Sequence, residues 1–251
     1  MLTFDKIGVK TPFKDILSDV SLTLKPHTIT AVIGKNGSGK TTLMSCLNGE
    51  RKYTGNIAYD GKDIRLMSIR EKARLISFLP QILPTPCITV KDLVRMGRSP
   101  YLDIGKNFTQ SDEEYVEKAL LQARIKDIEN KYLTEASGGE KQKAYIAMVL
   151  AQNTRVIALD EPTTYMDMAY SKEFLSLLCE LRDKNKKTVL TVMHDINSAL
   201  EIADNILILN QGRAEFFGSV QQTIESGKIE EIFGLKKYEC ICDGEVKFIY
   251  R

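Results

Sequence analysis

The chain has 251 residues, 43% hydrophobic and 27% charged, with a formal net charge of +2. That balance is ordinary for a globular protein, fits one large domain or a domain with an inserted subdomain, and argues for no nucleic-acid partner. No run approaches the ~18 apolar residues of a membrane span, the opening MLTFDKIGVK lacks the apolar core and cleavage site of a signal peptide, and the five cysteines are scattered; the chain reads as a cytoplasmic protein with reduced thiols.

In chain order, TITAVI (28–33) is a short apolar strand, followed by a glycine-rich turn and a helix, KTTLMSCLN, that stops at Gly49. GNIAYDGKDI (55–64) reads as a hairpin around Asp60-Gly61. ILPTPCITV (82–90) carries two prolines and makes a crossing into a different region, because from about Thr89 to Leu150 no strand pattern is found. There SDEEYVEKALLQARI (111–125) is a helix with an expected capping box from Ser111 to Glu114 and an apolar stripe of Val116, Ala119, Leu120 and Ala123. EASGGEKQK (135–143) starts another helix, with Ser137 as N-cap and Glu140 completing the box. Its first turn holds two glycines, each costing roughly 1 kcal/mol relative to alanine in a helix.

RVIALD (155–160) and TVLTVMH (188–194) are buried strands, and 171–184 and 195–204 are helical. NILILNQGRAEFF (205–217) is a hairpin around Gln211-Gly212, and 227–251 reads as a helix and a hairpin turning at Asp243-Gly244. Alternation would put Cys240 and Cys242 on one strand face; with no second Cys or His pair, they read as neighbours and not as half a metal site. Strands alternating with helices imply a parallel α/β sheet, here interrupted by a mostly helical insertion.

GKNGSGKTT (34–42) matches G-x-x-x-x-G-K-[ST] between a strand and a helix, a match expected by accident in on the order of 1% of such chains. The run Gly34, Lys35, Asn36, Gly37, Ser38, Gly39, Lys40, Thr41, Thr42 would curl backbone N–H groups around phosphate oxygens, with Lys40 on the β- and γ-phosphates and the Thr41 hydroxyl on Mg²⁺. RVIALDEPT places Asp160 and Glu161 at a strand's C-terminal end, where open α/β sheets bind ligands. Adjacent strand residues point in opposite directions, so Asp160 suits Mg²⁺ and Glu161 is free to act as general base on an attacking water. His194 ends the next strand on the same edge, within reach of a γ-phosphate, whereas His27 reads as a turn residue.

GKNGSGKTT, Gln81 in FLPQ, ASGGEKQ, RVIALDEP, TYMD (164–167) and His194 in VMHD follow one order that resembles the nucleotide-binding subunit of an ABC transporter, from near residue 15 to near residue 220. The resemblance implies a P-loop NTPase fold: a RecA-like parallel-sheet core with an antiparallel β subdomain (1–82 and 155–220), an inserted α-helical signature subdomain (83–154) and a C-terminal extension (221–251). It implies that Gln81 senses Mg²⁺ and the γ-phosphate, that Asp167 crosses a dimer interface, and that Phe13 stacks on adenine. Two copies would pack head to tail around two ATP molecules. Ser137, Gly138, Gly139 and Glu140 of one copy would face the γ-phosphate held by the other, and side chains at 138 and 139 would hold that phosphate away from the helix N-terminus. The pattern departs at Ala136, where leucine is usual, at Glu140, where glutamine is commoner, and at Met148, where arginine is frequent.

DLVRMGRSPYL (92–102), LDEPTTYMDMAY (159–170) and VMHDINSALEIAD (192–204) together look like the ATPases that import iron–siderophore complexes, haem or cobalamin. The resemblance implies separate permease subunits docking near residues 82–102 at the cytoplasmic face of the membrane, and indirectly a substrate-binding protein. Iron–siderophore is the first choice of cargo, although no residue here would touch it. A soluble ABC ATPase of a non-transport process and a non-catalytic ATP clamp remain the alternatives.

Overall fold

The computed structural model describes residues 1–102, 107–164, 166–242 and 245–251. The expected Asp243-Gly244 turn and Tyr165 of the TYMD stretch lie outside them. By its contacts the chain divides into two compact units, Met1–Arg65 with Leu190–Arg251, and Leu66–Val189.

The first unit opens with β1 (Leu2–Lys10) and β2 (Asp15–Leu24), two strands with no strong turn dipeptide between them. Their partly alternating burial pattern sets one apolar face inward, and they pair antiparallel, with Leu2 opposite Leu24. Lys6 and Asp19, at positive φ, lie where the register shifts. β3 (Ile29–Ile33) is buried throughout and leads into α1 (Lys40–Asn48), which ends at Gly49 with φ +89°. β4 (Thr54–Tyr59) and β5 (Lys62–Asp63) form the expected hairpin, its turn set by positive φ at both Asp60 and Gly61. These strands complete an antiparallel sheet of order β2-β1-β4-β5.

The second unit holds α2 (Ile69–Leu75), β6 (Ile76–Leu79), α3 (Val90–Met96), α4 (Gln110–Gln122), α5 (Gly138–Gln152), β7 (Val156–Asp160) and α6 (Met168–Asp183). β6 and β7 pair in parallel, with Leu79 opposite Leu159. Between residues 89 and 150 the only pairing among the described residues is an isolated bridge from Thr89 to Tyr132, so the region is helical as expected. The expected capping box at Ser111 is not the one formed. α4 starts two residues earlier, and Thr109 and Asp112 make the reciprocal bonds while Ser111 sits inside the helix. Both pairs fit the S/T-x-x-D/E pattern; Asp112 is the carboxylate that also has a buried partner.

That partner is Arg98. It follows Gly97, where a Cβ would lie 2.3 Å from the Met148 carbonyl oxygen, so only glycine lets the end of α3 approach α5 this closely. Arg98 is 5% exposed. Its Nε donates to Asp112 Oδ1 at 3.0 Å and its Nη1 to the Ala151 carbonyl at 2.9 Å. The guanidinium stacks on Tyr101 and Tyr115, 4.1 and 4.2 Å from the ring centroids.

β8 (Thr188–Val192) carries the chain back into the first unit, followed by α7 (Ile196–Ile202), β9 (Asn205–Asn210), β10 (Arg213–Ser219), α8 (Val220–Glu225), α9 (Lys228–Phe233), β11 (Lys237–Cys242) and β12 (Glu245–Tyr250). β9 runs parallel to β3 and antiparallel to β10, through a turn with positive φ at both Gln211 and Gly212. The β11–β12 hairpin is anchored to α7: Asn197 Nδ2 donates to the Tyr250 carbonyl at 3.1 Å, and Tyr250 N–H returns a bond to Asn197 Oδ1 at 2.9 Å. Parallel strands, a separate antiparallel sheet and flanking helices make this the α/β architecture of a P-loop NTPase.

Candidate nucleotide site

The first unit carries the loop between β3 and α1. A Cβ at Gly34 would lie 2.3 Å from the Leu209 carbonyl oxygen and 2.5 Å from Ser38 Oγ, so no side chain fits there. Gly37 and Gly39 take left-handed φ values of +78° and +104°, which glycine alone adopts at little cost. The loop is braced by its own unit: Gly212 N–H donates to the Ser38 carbonyl at 3.1 Å, and Ser18 N–H donates to the Gly212 carbonyl at 2.8 Å. Ser38 Oγ is buried with no hydrogen-bond partner among the described residues. Lys40 is 5% exposed, and its ammonium donates to the Gly34 and Lys35 carbonyls at 2.7 and 3.3 Å. Lys35, Asn36 and Thr41 are exposed and Thr42 is half-buried. Gly39, at the N-cap of α1, supplies no side-chain cap. A curled backbone, a helix N-terminus without a side-chain acceptor and a buried ammonium form a cradle suited to phosphate.

Phe13 belongs to the same unit, on the β1–β2 connection. Thr11 and Lys14 close that connection through Thr11 N–H to the Lys14 carbonyl at 2.9 Å, and Phe13 stands 97% exposed at its tip. His194 is exposed two residues past β8, after Met193, whose N–H donates to the Val32 carbonyl at 3.1 Å, and before Asp195, the N-cap of α7.

The second unit carries the acidic strand end. β7 delivers Asp160, 1% exposed, and then Glu161, 7% exposed and at φ +53°. A left-handed backbone at a residue with a side chain costs roughly 1–2 kcal/mol. Thr164 stabilises the turn, its N–H and hydroxyl both reaching the Glu161 carbonyl, at 3.4 and 3.1 Å. The parallel register then matters: Leu79 and Leu159 lie side by side, and Gln81 and Glu161, each two residues on, meet. Gln81 Nε2 donates to Glu161 Oε2 at 2.7 Å.

α5 starts at the paired glycines with its expected box in place: Glu140 N–H donates to Ser137 Oγ at 3.3 Å and Ser137 N–H to Glu140 Oε2 at 2.7 Å. The Ser137 N–H, and after it the Lys131 ammonium at 2.9 Å, hold the Glu140 carboxyl below the usual carboxylate value. Ser137 and Gly138 are exposed and Gly139 is half-buried. Asp167 caps α6, its Oδ1 accepting from Tyr170 N–H at 2.8 Å. Sequence reasoning passed over Gln142, which is 2% exposed and donates to the Pro162 carbonyl at 2.8 Å. The available signal was a polar residue on the buried face of α5, in line with Tyr145, Ile146 and Val149.

A family profile described as ABC transporter matches residues 17–164, more than half of the chain. The petrobactin import ATP-binding protein YclP of Bacillus subtilis (strain 168) is 39% identical over 224 residues, 88% of each chain. The ferric enterobactin transport ATP-binding protein FepC of Escherichia coli (strain K12) is 38% identical over 211 residues, 82% of this chain and 77% of that one. Among solved structures, an inward-facing metal-chelate type ABC transporter contains a chain that superposes with a TM-score of 0.85 at 26% identity, covering 100% of this chain and 96% of the other. The glycine cradle, the order of the motifs and these relatives agree, and the chain belongs to the ABC transporter family, among its ATP-binding subunits.

Proposed function

We propose that this chain is the ATP-hydrolysing subunit of an ABC importer that takes up a metal chelate, iron–siderophore before haem or cobalamin, through a separate permease at the cytoplasmic face of the membrane. The observation that carries the hydrolytic reading is Glu161, a buried carboxylate held at a strand end in a strained turn by Gln81. A subunit that only clamped ATP would not need an acid so placed. The cargo class rests on relatives named for petrobactin and enterobactin transport.

In this reading the cradle amides and Lys40 hold the triphosphate, and Glu161 takes the proton of a water attacking the γ-phosphorus as the bond to the ADP oxygen breaks. His194 contacts the γ-phosphate and that water. Thr41, Gln81 and Asp160 offer the hard oxygen donors Mg²⁺ prefers. Among the described residues no cluster of three or more His, Cys, Asp or Glu forms a cage, which suits an ion shared with substrate phosphates. Mg²⁺ held by Thr41, Gln81 and Asp160 would supply neutralisation of the negative charge on the phosphate. Two copies sandwich two ATP molecules, with Gly138 and Gly139 of one copy donating backbone N–H groups to the nucleotide of the other and Asp167 at their interface. Residues 1–82 and 155–220 serve as core, 83–154 as the signature subdomain and 221–251 as an extension.

No helix among the described residues is long and apolar enough to cross a membrane, and in this reading the permease is a separate chain. Ile82 and Met96, 83% and 52% exposed, supply apolar surface for it within 82–102. Capture of the tagged subunit from native membranes, with mass spectrometry of what accompanies it, tests the reading. A polytopic permease and a substrate-binding protein are expected; soluble partners alone would move the chain to a non-transport ATPase. Phe13→Ala is expected to raise the KM for ATP about tenfold with little change in kcat, the loss of one base–aromatic stack; an unchanged KM removes Phe13 from the site.

A further inference from the structure

We propose that Gln142 is a positioning residue for hydrolysis: through the Pro162 carbonyl it locks the strained turn that presents Glu161, and so ties the signature helix to the general base. The inference rests on Glu161 being the base.

Gln142 lies one turn into α5 from Gly138 and Gly139. Its Nε2 donates to the Pro162 carbonyl, one residue beyond Glu161, while its Oε1 has no hydrogen-bond partner among the described residues. Burying an amide with half its bonding capacity unused is costly, and a methionine or leucine would fill the same space without that cost. What a methionine cannot do is hold the Pro162 carbonyl. That carbonyl belongs to the Pro162–Thr163 peptide, the second after Glu161, and holding it restrains a turn whose Glu161 sits at φ +53°, a conformation the turn would otherwise relax out of. With Thr164 on the Glu161 carbonyl and Gln142 on the Pro162 carbonyl, two successive backbone oxygens of the turn are held.

Three residues along the same helix face, the Tyr145 hydroxyl donates to the Pro84 carbonyl at 2.7 Å. Pro84 lies three residues past Gln81, which is bonded to Glu161 itself. One face of α5 therefore grips both backbone segments whose side chains form the Gln81–Glu161 pair. A shift of α5, whose first turn is the signature, moves both.

The test is ATP hydrolysis by the full chain carrying Gln142→Met, alone and combined with Glu161→Gln. Gln142→Met is expected to lower kcat by about 10- to 100-fold, the range a misplacement near 1 Å produces. ATP affinity should stay within about twofold, because ATP contacts are untouched. Added to Glu161→Gln, it should cause no further loss in single-turnover hydrolysis, since a residue acting through Glu161 has nothing left to position. A kcat within about twofold of wild type, or the same fold loss in both backgrounds, overturns the inference. Gln142→Asn keeps the amide on a stem one carbon too short and should behave like Gln142→Met if the methionine variant does not fold. Failure of both to fold makes Gln142 a core residue, and the proposal falls. Unchanged hydrolysis by Glu161→Gln alone removes the base reading and this inference with it, whereas a slow Glu161→Gln beside a fast Gln142→Met removes only the inference.

Discussion

Glu161→Gln is expected to lower ATP turnover by at least about 100-fold, the low end of what a positioned general base contributes, while ATP binding persists and ATP-bound dimers accumulate. The substitution keeps the shape of the side chain and removes only its capacity to take a proton. Its amide oxygen can still accept the bond that Gln81 Nε2 makes at 2.7 Å, and the Thr164 bonds to the 161 carbonyl are untouched. The turn should therefore survive, and the defect should be one of chemistry. If hydrolysis separates the two copies because the cleaved phosphate was part of their interface, the variant stops before that step. Gel filtration with ATP should show a dimer in the variant and less of it in wild type under turnover. Wild-type hydrolysis by Glu161→Gln would eliminate Glu161 as the base.

Arg98→Ala is expected to destabilise the second unit by about 3–5 kcal/mol, the cost of leaving one member of a buried ion pair alone. In a chain of this size that lowers the thermal midpoint by roughly 10 °C. Arg98 joins three elements: the end of α3, Asp112 in the first turn of α4, and the Ala151 carbonyl near the end of α5. Removing it strands the Asp112 carboxylate in a site 6% exposed and takes away the face packed against Tyr101 and Tyr115. Asp112→Asn should cost less, because its amide oxygen can still accept from Arg98. The pair also has a pH signature. Burial by itself would raise the Asp112 carboxyl, but the Thr109 hydroxyl and N–H, together with Arg98, outweigh it and hold the group below its ordinary value. A depressed folded value means that the contribution is complete above the unfolded value of about 3.9 and is lost as pH falls through the folded value. The stability gap between wild type and Arg98→Ala should then narrow below about pH 4, as chemical denaturation at pH 7 and pH 3.5 would show. A gap that stays constant would mean that Arg98 acts by packing alone.

Much of the chemistry could be read from local sequence because local rules govern it. A cradle of three glycines, two hairpin turns with positive φ at Asp60-Gly61 and Gln211-Gly212, three uninterrupted apolar strands and the Ser137–Glu140 box are all set by neighbours a few residues apart. Where local signals competed, the sequence could not arbitrate. Ser111-x-x-Glu114 and Thr109-x-x-Asp112 are equally good boxes in isolation, and Arg98, distant in sequence, engages the second. β1 and β2 lack a strong turn signal between them, and β6 is only four residues long, so their membership in sheets came from partners elsewhere.

By itself, then, the sequence determined which groups are the candidates for a nucleotide site: the phosphate loop, the acid pair, His194 and the glycines of α5. Only the tertiary structure decided how the acid is held. Gln81 and Glu161 are 80 residues apart and meet because β6 and β7 share a register. Gln142 reaches the Pro162 carbonyl because α5 packs against the turn after β7. Arg98, in the helical insertion, is buried because its partners arrive from 14 and 53 residues away. A side chain's chemistry is written at its own position, but its burial and its hydrogen-bond partners belong to whichever segments the fold brings beside it.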